Sequence, residues 1–255
     1  MAFGGLEFSF DNINCSEYGL KLFTIGGSGG GSVSGGAEMT LYTDKPARGY
    51  KFNLLGVSEE EPLTFDLSFG TTQPMTRNEI SKIQKWLFGH KTYKKLTIIQ
   101  EDMTKVHYNC ILTDSEIELF GNRPMLITCK VICDSPFAWE DEVTYSYNQT
   151  SITHDNTSDI NDYTYPKIEF TATSSTVSIV NLSNQGRTTE FTNLTVGEII
   201  TLDNERQILT SSKGLKRLKN FNKNWFELVP NENIIRVVGA NNFSMVYANA
   251  RRIGG

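Results

Sequence analysis

The chain has 255 residues and carries 24 Lys and Arg against 29 Asp and Glu, which gives a net charge of -5. This mild acidity gives no reason to expect nucleic acid or an anionic membrane as a general partner, and no apolar run is long enough to span a bilayer. The first ten residues, MAFGGLEFSF, lack the basic segment and apolar run of a secretory signal. We therefore expect a protein that is made in the cytoplasm and has no membrane anchor.

Residues 1–139 are dominated by alternation of apolar and polar residues, which is typical of antiparallel strands with one buried face. Phe8 and Phe10 begin this pattern, and it returns at residues 63–69 and 106–112. Short strands separated by turns predict a β-sandwich. Further strands are predicted over residues 20–25, 39–42, 96–100, 117–120 and 125–134.

One segment of this half has helical spacing instead. Thr76 and Glu79 form the pattern of a capping box, in which each residue bonds a backbone N–H of the other. Apolar residues follow at intervals of three and four, and Gly89 is placed to end the helix. The spacing predicts one amphipathic helix over about 77–88, packed on the sheet through Ile83 and Trp86.

A glycine-rich segment, IGGSGGGSVSGG, occupies residues 25–36. Its composition is that of a flexible linker, but the residues before it are too few to bury a core of their own. We therefore interpret it as a loop within the first domain. In an assembly such a loop can reach a neighbouring subunit.

The character of the sequence changes after residue 139. Residues 140–165 are rich in Asp, Asn, Thr, Ser and Tyr and poor in aliphatic residues, which indicates a linker or long loop. Alternation resumes at Ile168 and Phe170 and continues with frequent turns. The sequence thus predicts a first domain over 1–139, a linker over 140–165 and a second antiparallel β-sandwich over 166–255.

No constellation of residues indicates catalysis or a cofactor. No pair of carboxylates, no nucleophile with its base and no nucleotide-binding motif has the required spacing. The four cysteines form no CxxC pair, and we favour their interpretation as small buried hydrophobes over a zinc site. We expect no enzymatic activity, no cofactor and no metal.

A basic cluster with interleaved aromatic residues is the one candidate interaction surface. It admits three interpretations: binding of nucleic acid or another polyanion, a solvated charged hairpin, or contact with an acidic neighbouring subunit. We favour the solvated hairpin, because the rest of the chain is acidic. The residues of the candidate surface are Lys213, Lys216, Arg217, Lys219 and Trp225, with Phe221 and Lys223 between them.

Several stretches together resemble the distal tail protein (Dit) family of long-tailed, non-contractile bacteriophages, the siphophages. In the first half these are Asn78–Ile80, Trp86–Gly89, Tyr93–Leu96 and Cys129–Trp139. In the second half they are Tyr165–Ile168, Ile200–Glu205, Phe226–Pro230 and Asn233–Val237. The resemblance covers nearly the whole chain.

The resemblance implies a virion structural protein of the phage tail tip, made in the host cytoplasm. Its first domain would be a β-sandwich with one helix, and its second a galectin-like sandwich. Six copies would form a ring, single or double, that joins the tail tube to the tail tip or baseplate as its hub and lets DNA pass at ejection. The partners would be the major tail protein, the tape-measure protein and tail-associated or receptor-binding proteins, with no sequence-specific binding of nucleic acid.

Two other functions compete with this one. The first is a carbohydrate-binding, lectin-like tail protein that contacts the host cell wall, for which Trp225 with Arg217 and Asn222 is the nearest candidate cluster. The second is a cell-wall hydrolase, for which the sequence offers no acid and base pair.

Overall fold

The computed structural model describes residues 7–25, 40–58, 61–99 and 105–252. They fall into two compact units. The first runs to Glu140 and also includes Arg251 and Arg252, and the second runs from Asp141 to Ala250. Within the described residues there is one α-helix, and the sheets are antiparallel. The predicted mainly β class with a single packed helix is confirmed.

The first unit is built on one seven-stranded sheet and a separate hairpin. Its elements, in chain order, are β1 (Glu7–Phe10), β2 (Ile13–Asn14), β3 (Lys21–Ile25), β4 (Thr40–Asp44), β5 (Asn53–Ser58), β6 (Thr64–Gly70), α1 (Arg77–Leu87), β7 (Lys94–Ile99), β8 (Tyr108–Phe120), β9 (Arg123–Cys133) and β10 (Ala138–Trp139). The strand order in the sheet is β2-β1-β7-β8-β9-β6-β3. Strands β4 and β5 form the hairpin.

The strands predicted over 106–112 and 117–120 are a single strand, β8, because an irregularity between Thr113 and Glu116 shifts the register without ending the pairing with β9. Asp114 has φ 52° at this irregularity. Residues 26–36 of the predicted glycine loop lie outside the described residues.

Helix α1 begins with the predicted capping box. The Thr76 hydroxyl accepts from the Glu79 backbone N–H at 3.3 Å, and the Glu79 carboxylate accepts from the Thr76 backbone N–H at 2.7 Å. The helix ends at Leu87, and Gly89 follows with φ +81°, a left-handed conformation that favours glycine. The capping box satisfies two of the amide groups that a helix start leaves without partners.

The core of the first unit lies between helix α1 and the sheet. Trp86 stacks on Tyr18 at a centroid distance of 4.6 Å and lies 6.0 Å from Phe8. Its indole N–H donates to the Phe10 carbonyl at 3.1 Å, so this buried aromatic ring leaves no polar atom unpaired. Phe8 and Phe10 point to this core because they alternate along β1.

The second unit is a sandwich of two sheets. Its strands are β11 (Val143–Tyr147), β12 (Ser151–Asn156), β13 (Lys167–Ala172), β14 (Val177–Asn181), β15 (Arg187–Phe191), β16 (Ile199–Asp203), β17 (Ile208–Ser211), β18 (Asn231–Val238) and β19 (Ala240–Tyr247). One sheet has the order β11-β19-β13-β16-β17 and the other the order β12-β18-β14-β15. Residues of both sheets share one apolar core, including Ile152, Phe170, Ile179 and Met245. The last strand, β20 (Ala250–Arg251), ends in the first unit.

The linker prediction for 140–165 is wrong over much of its length, because β11 and β12 lie there. β11 pairs with β19 and β12 pairs with β18, so each strand belongs to one sheet of the sandwich. Two inward side chains of β12 are polar but hydrogen-bonded. His154 lies between the hydroxyls of Tyr147 and Tyr247, at 2.8 and 2.7 Å, and Asn156 donates to a backbone carbonyl and a threonine hydroxyl. Composition alone does not distinguish polar residues that are hydrogen-bonded in a core from the polar residues of a linker.

The position of Trp86 generates a stability prediction. Substituting Trp86→Ala removes a large buried ring and should lower the free energy of unfolding by about 3–5 kcal/mol. Trp86→Phe keeps most of the apolar contact but leaves the Phe10 carbonyl without its donor, so a smaller loss of about 1–2 kcal/mol is expected. Urea denaturation followed by circular dichroism measures both values.

The exposed neighbour Gln84 provides the control for this series. Gln84→Ala should leave the unfolding midpoint nearly unchanged, because alanine is a good helix former and the side chain packs on nothing buried. Equal midpoints for Gln84→Ala and Trp86→Ala would contradict the docking of α1 through Trp86.

Candidate interaction surfaces

The β4–β5 hairpin carries a set of exposed apolar side chains, and we call residues 40–58 the apolar hairpin. None of residues 40–57 is buried. The exposed fraction is 60% for Leu41, 65% for Phe52 and 71% for Leu55. Leu41 and Tyr42 are consecutive in the regularly paired part of β4 and therefore point to opposite faces, and both are exposed, so both faces of the hairpin are apolar.

A hairpin with two exposed apolar faces needs a covering surface. An isolated two-stranded hairpin is marginally stable in water, and exposed apolar patches on proteins mark sites of contact with other molecules. The signal was present in the sequence, where the run from Tyr50 to Val57 contains the adjacent pair Leu54-Leu55. Adjacent apolar residues break the alternation that is typical of a strand with one buried and one exposed face.

The predicted basic cluster forms a loop after β17, and we call residues 213–225 the basic loop. It contains one 3-10 turn, Arg217–Asn220. Lys213, Lys216 and Lys219 are exposed, as is Lys223. The structure therefore brings these lysines into one solvent-facing segment.

Arg217 differs from the lysines, because its side chain is only 10% exposed and is paired with the fully buried side chain of Glu198. Its Nη2 and Nε groups donate to the two carboxylate oxygens at 2.6 and 2.8 Å, a bidentate geometry. Nη1 donates to the Asn193 carbonyl at 2.9 Å. The interpretation of Arg217 as part of a solvated or docking surface is therefore wrong, because the side chain is a structural clamp.

The carboxylate of Glu198 has further donors. It accepts from the Ser211 hydroxyl at 2.6 Å and from the Thr195 backbone N–H at 3.0 Å. The hydrogen bonds from Arg217 are the main cause that lowers the pKa of Glu198 to about 2, against the opposing effect of burial. The clamp therefore joins the turn at 193–198, the end of β17 and the basic loop.

The aromatic residues of the loop pack inward. Phe221 is buried and stacks on Phe191 with ring centroids 4.7 Å apart. Trp225 is half-buried and meets Phe221 edge-on at 5.1 Å. Asn222 donates to the Thr188 carbonyl at 2.9 Å. The polar groups of Arg217 and Asn222 are thus engaged within the protein and do not converge with Trp225 on an open face.

The cysteines are free thiols within the described residues and are all buried. Burial raises the pKa of Cys129 and of Cys133 to about 12, which disfavours the thiolate that metal binding or nucleophilic attack requires. In the described part of the chain, no group of three or more His, Cys, Asp or Glu side chains is placed to hold a metal ion. No helix there is long and apolar enough to cross a membrane.

Family models account for nearly the whole chain. Residues 3–135 match a model described as a phage tail protein N-terminal domain, and residues 137–247 match one described as a phage tail C-terminal domain. No curated protein sequence matches the chain significantly.

Solved structures share the fold at low sequence identity. The crystal structure of the phage SPP1 Dit protein (gp 19.1), described as a paradigm of the hub adsorption apparatus in phages that infect Gram-positive hosts, matches with a TM-score of 0.72 and 13% identity. The match covers 96% of this chain and 98% of that one. A chain of the phage P2 baseplate in its activated conformation with Ca matches with a TM-score of 0.53 and 8% identity, over 97% of this chain and 99% of that one.

The clamp between Arg217 and Glu198 generates a second prediction. Substituting Arg217→Leu leaves a buried carboxylate without its partner and should lower the Tm of the second unit by on the order of 10 °C. The exposed neighbours Lys216→Ala and Lys219→Ala serve as controls and should each shift the Tm by roughly 3 °C or less. Differential scanning calorimetry measures all three.

Acid should reduce the difference between Arg217→Leu and the wild type. The folded pKa of Glu198 is lowered from 4.5 to about 2, so the stability that this carboxylate contributes is present above its unfolded pKa and is lost as pH falls through that interval. A Tm difference that stays constant from neutral pH to pH near 2 would contradict the role of the ion pair.

Proposed function

Because the chain belongs to the family of phage tail proteins, we propose that it is a structural distal tail protein, six copies of which close into a ring between the tail tube and the baseplate. The resemblance drawn from the sequence is confirmed, since the domain models describe phage tail proteins and the fold is that of the SPP1 Dit protein. A phage tail protein is a component of the virion, and its synthesis in the host cytoplasm is part of the proposal.

The apolar hairpin is the observation that carries this proposal. Rings are closed by heterologous contacts, in which one surface of each subunit covers a different surface of the next. The hairpin provides one such surface, because its side chains on both faces are exposed in the single chain. In the ring, the hairpin of each subunit would be covered by the neighbouring first unit.

The proposal assigns separate roles to the two parts of the chain. The first unit would form the ring, whose lumen holds the tape-measure protein and lets DNA pass at ejection, and it would contact the major tail protein. The second unit, with a galectin-like sandwich, would lie outside the ring and carry tail-associated or receptor-binding proteins. No chemical reaction is required of either unit, which agrees with a family of structural tail proteins.

The carbohydrate-binding alternative has less support from the structure. A lectin site needs aromatic and polar groups that converge on an exposed face. In the predicted cluster, the Arg217 guanidinium is bonded to Glu198 and the Asn222 amide to Thr188. The structural role therefore remains the proposal for both units.

Substitutions in the apolar hairpin test ring closure. The double variant Leu54→Ser and Leu55→Ser removes two strongly exposed apolar side chains of the hairpin, and covering each leucine is worth about 1.5–3 kcal/mol. We expect the wild type to form hexamers as its concentration is raised and the double variant to remain monomeric. Sedimentation velocity gives the masses, and negative-stain microscopy shows whether the hexamer is a ring.

The matched control lies in the second unit. Leu182 and Val238 are exposed to a similar degree, so Leu182→Ser with Val238→Ser removes comparable apolar surface away from the hairpin. This control should assemble like the wild type. Normal hexamers from the hairpin variant, or a wild type that is monomeric at every concentration, would contradict the proposal.

A further inference from the structure

The second unit concentrates its positive charge in one place. Six of its nine Lys and Arg residues lie between 206 and 223, and no Asp or Glu occurs from 206 to 226. Within the basic loop, Arg217 is neutralised by Glu198, whereas the lysines remain exposed to solvent. Such segregation of one sign of charge favours contact with an anionic surface.

The same loop also exposes apolar side chains. Leu215 is 48% exposed and Leu218 is 51% exposed, and both lie between lysines. Val196, in the turn that Arg217 ties to the loop, is 66% exposed. An apolar centre with a charged rim is the anatomy of a protein–protein interface.

The loop is held in a fixed conformation before any partner arrives. The Arg217 clamp fixes it from one side, and the stack of Phe221 on Phe191 fixes it from the other. A surface that is ordered in the free protein loses little conformational freedom on binding, which raises affinity. The buried parts of the loop therefore serve to present its exposed lysines and leucines.

We propose that the basic loop, together with Val196, is a docking surface for another protein chain whose own surface is acidic around an apolar centre. A polyphosphate or nucleic acid would satisfy the lysines but offer nothing to cover the three apolar side chains. A protein partner satisfies both. The inference rests on the proposed role of the second unit in carrying other tail proteins and assigns a surface to that role. Ring closure depends instead on the apolar hairpin in the first unit, so either can fail without the other.

Defined probes test the chemistry of this surface with the full-length chain. Three fluorescein-labelled anions of equal charge are titrated: a peptide of alternating Glu and Leu, a peptide of alternating Glu and Ser, and polyphosphate. Fluorescence anisotropy should show saturable binding of the Glu/Leu peptide, about tenfold tighter than either of the others, and weakening as salt rises.

Matched variants locate the binding. The double variant Lys216→Gln and Lys219→Gln should weaken binding of the Glu/Leu peptide about tenfold. Its control, Lys167→Gln with Arg236→Gln, removes as much charge from exposed positions elsewhere and should have little effect on binding.

The apolar side chains are tested in the same way. Leu215→Ser with Leu218→Ser should also weaken binding of this peptide, whereas the control Leu182→Ser with Val238→Ser should leave it unchanged.

Four results would overturn the assignment. Tighter binding of polyphosphate would identify a polyanion as the ligand, and equal binding of the two peptides would remove the apolar centre from the surface. No binding of any probe would show a loop that is only solvated. Self-association that the Lys216→Gln and Lys219→Gln changes abolish, seen by light scattering, would make a second copy of this chain the partner.

Discussion

An apolar strand face must be covered, and this constraint decides how each part of the chain is built. In the first unit, α1 covers the sheet through Trp86. In the second unit, two sheets cover one another. The apolar hairpin has neither arrangement, and its apolar side chains remain exposed on both faces. The same physical requirement that explains the two cores is the reason for proposing that the hairpin contacts another subunit.

Pairing of buried polar groups is the second constraint. The second unit buries several amides, a histidine and a carboxylate, and many of their partners come from distant parts of the chain. Asn181 donates to the Asn233 side chain at 2.8 Å, and both residues are almost fully buried. A buried polar group costs stability unless it is bonded, so these pairs specify one arrangement of the sheets.

The sequence analysis succeeded where the interacting residues are close in the chain. The capping box was predictable because Thr76 and Glu79 are three positions apart, and the alternation of Phe8 and Phe10 sets which face of β1 is buried. It failed where partners are distant. His154 is hydrogen-bonded to Tyr247, 93 positions away. No nearby residue identifies this partner, so β12 was predicted to be part of a linker because of its polar composition. Arg217 belonged to a charged run, and nothing local identified Glu198 as its partner.

The boundary between the units has one more property. The chain leaves the first unit after Glu140 and re-enters it at Arg251, and the side chains of these two residues are joined by an ion pair of 2.8 Å. The second unit is therefore an insertion whose entry and exit lie side by side. An insertion of this kind is a cassette: another module with neighbouring ends can replace it while every strand connection of the first unit is kept. A tail protein built on this plan can exchange its second unit and leave the fold of its first unit unaltered.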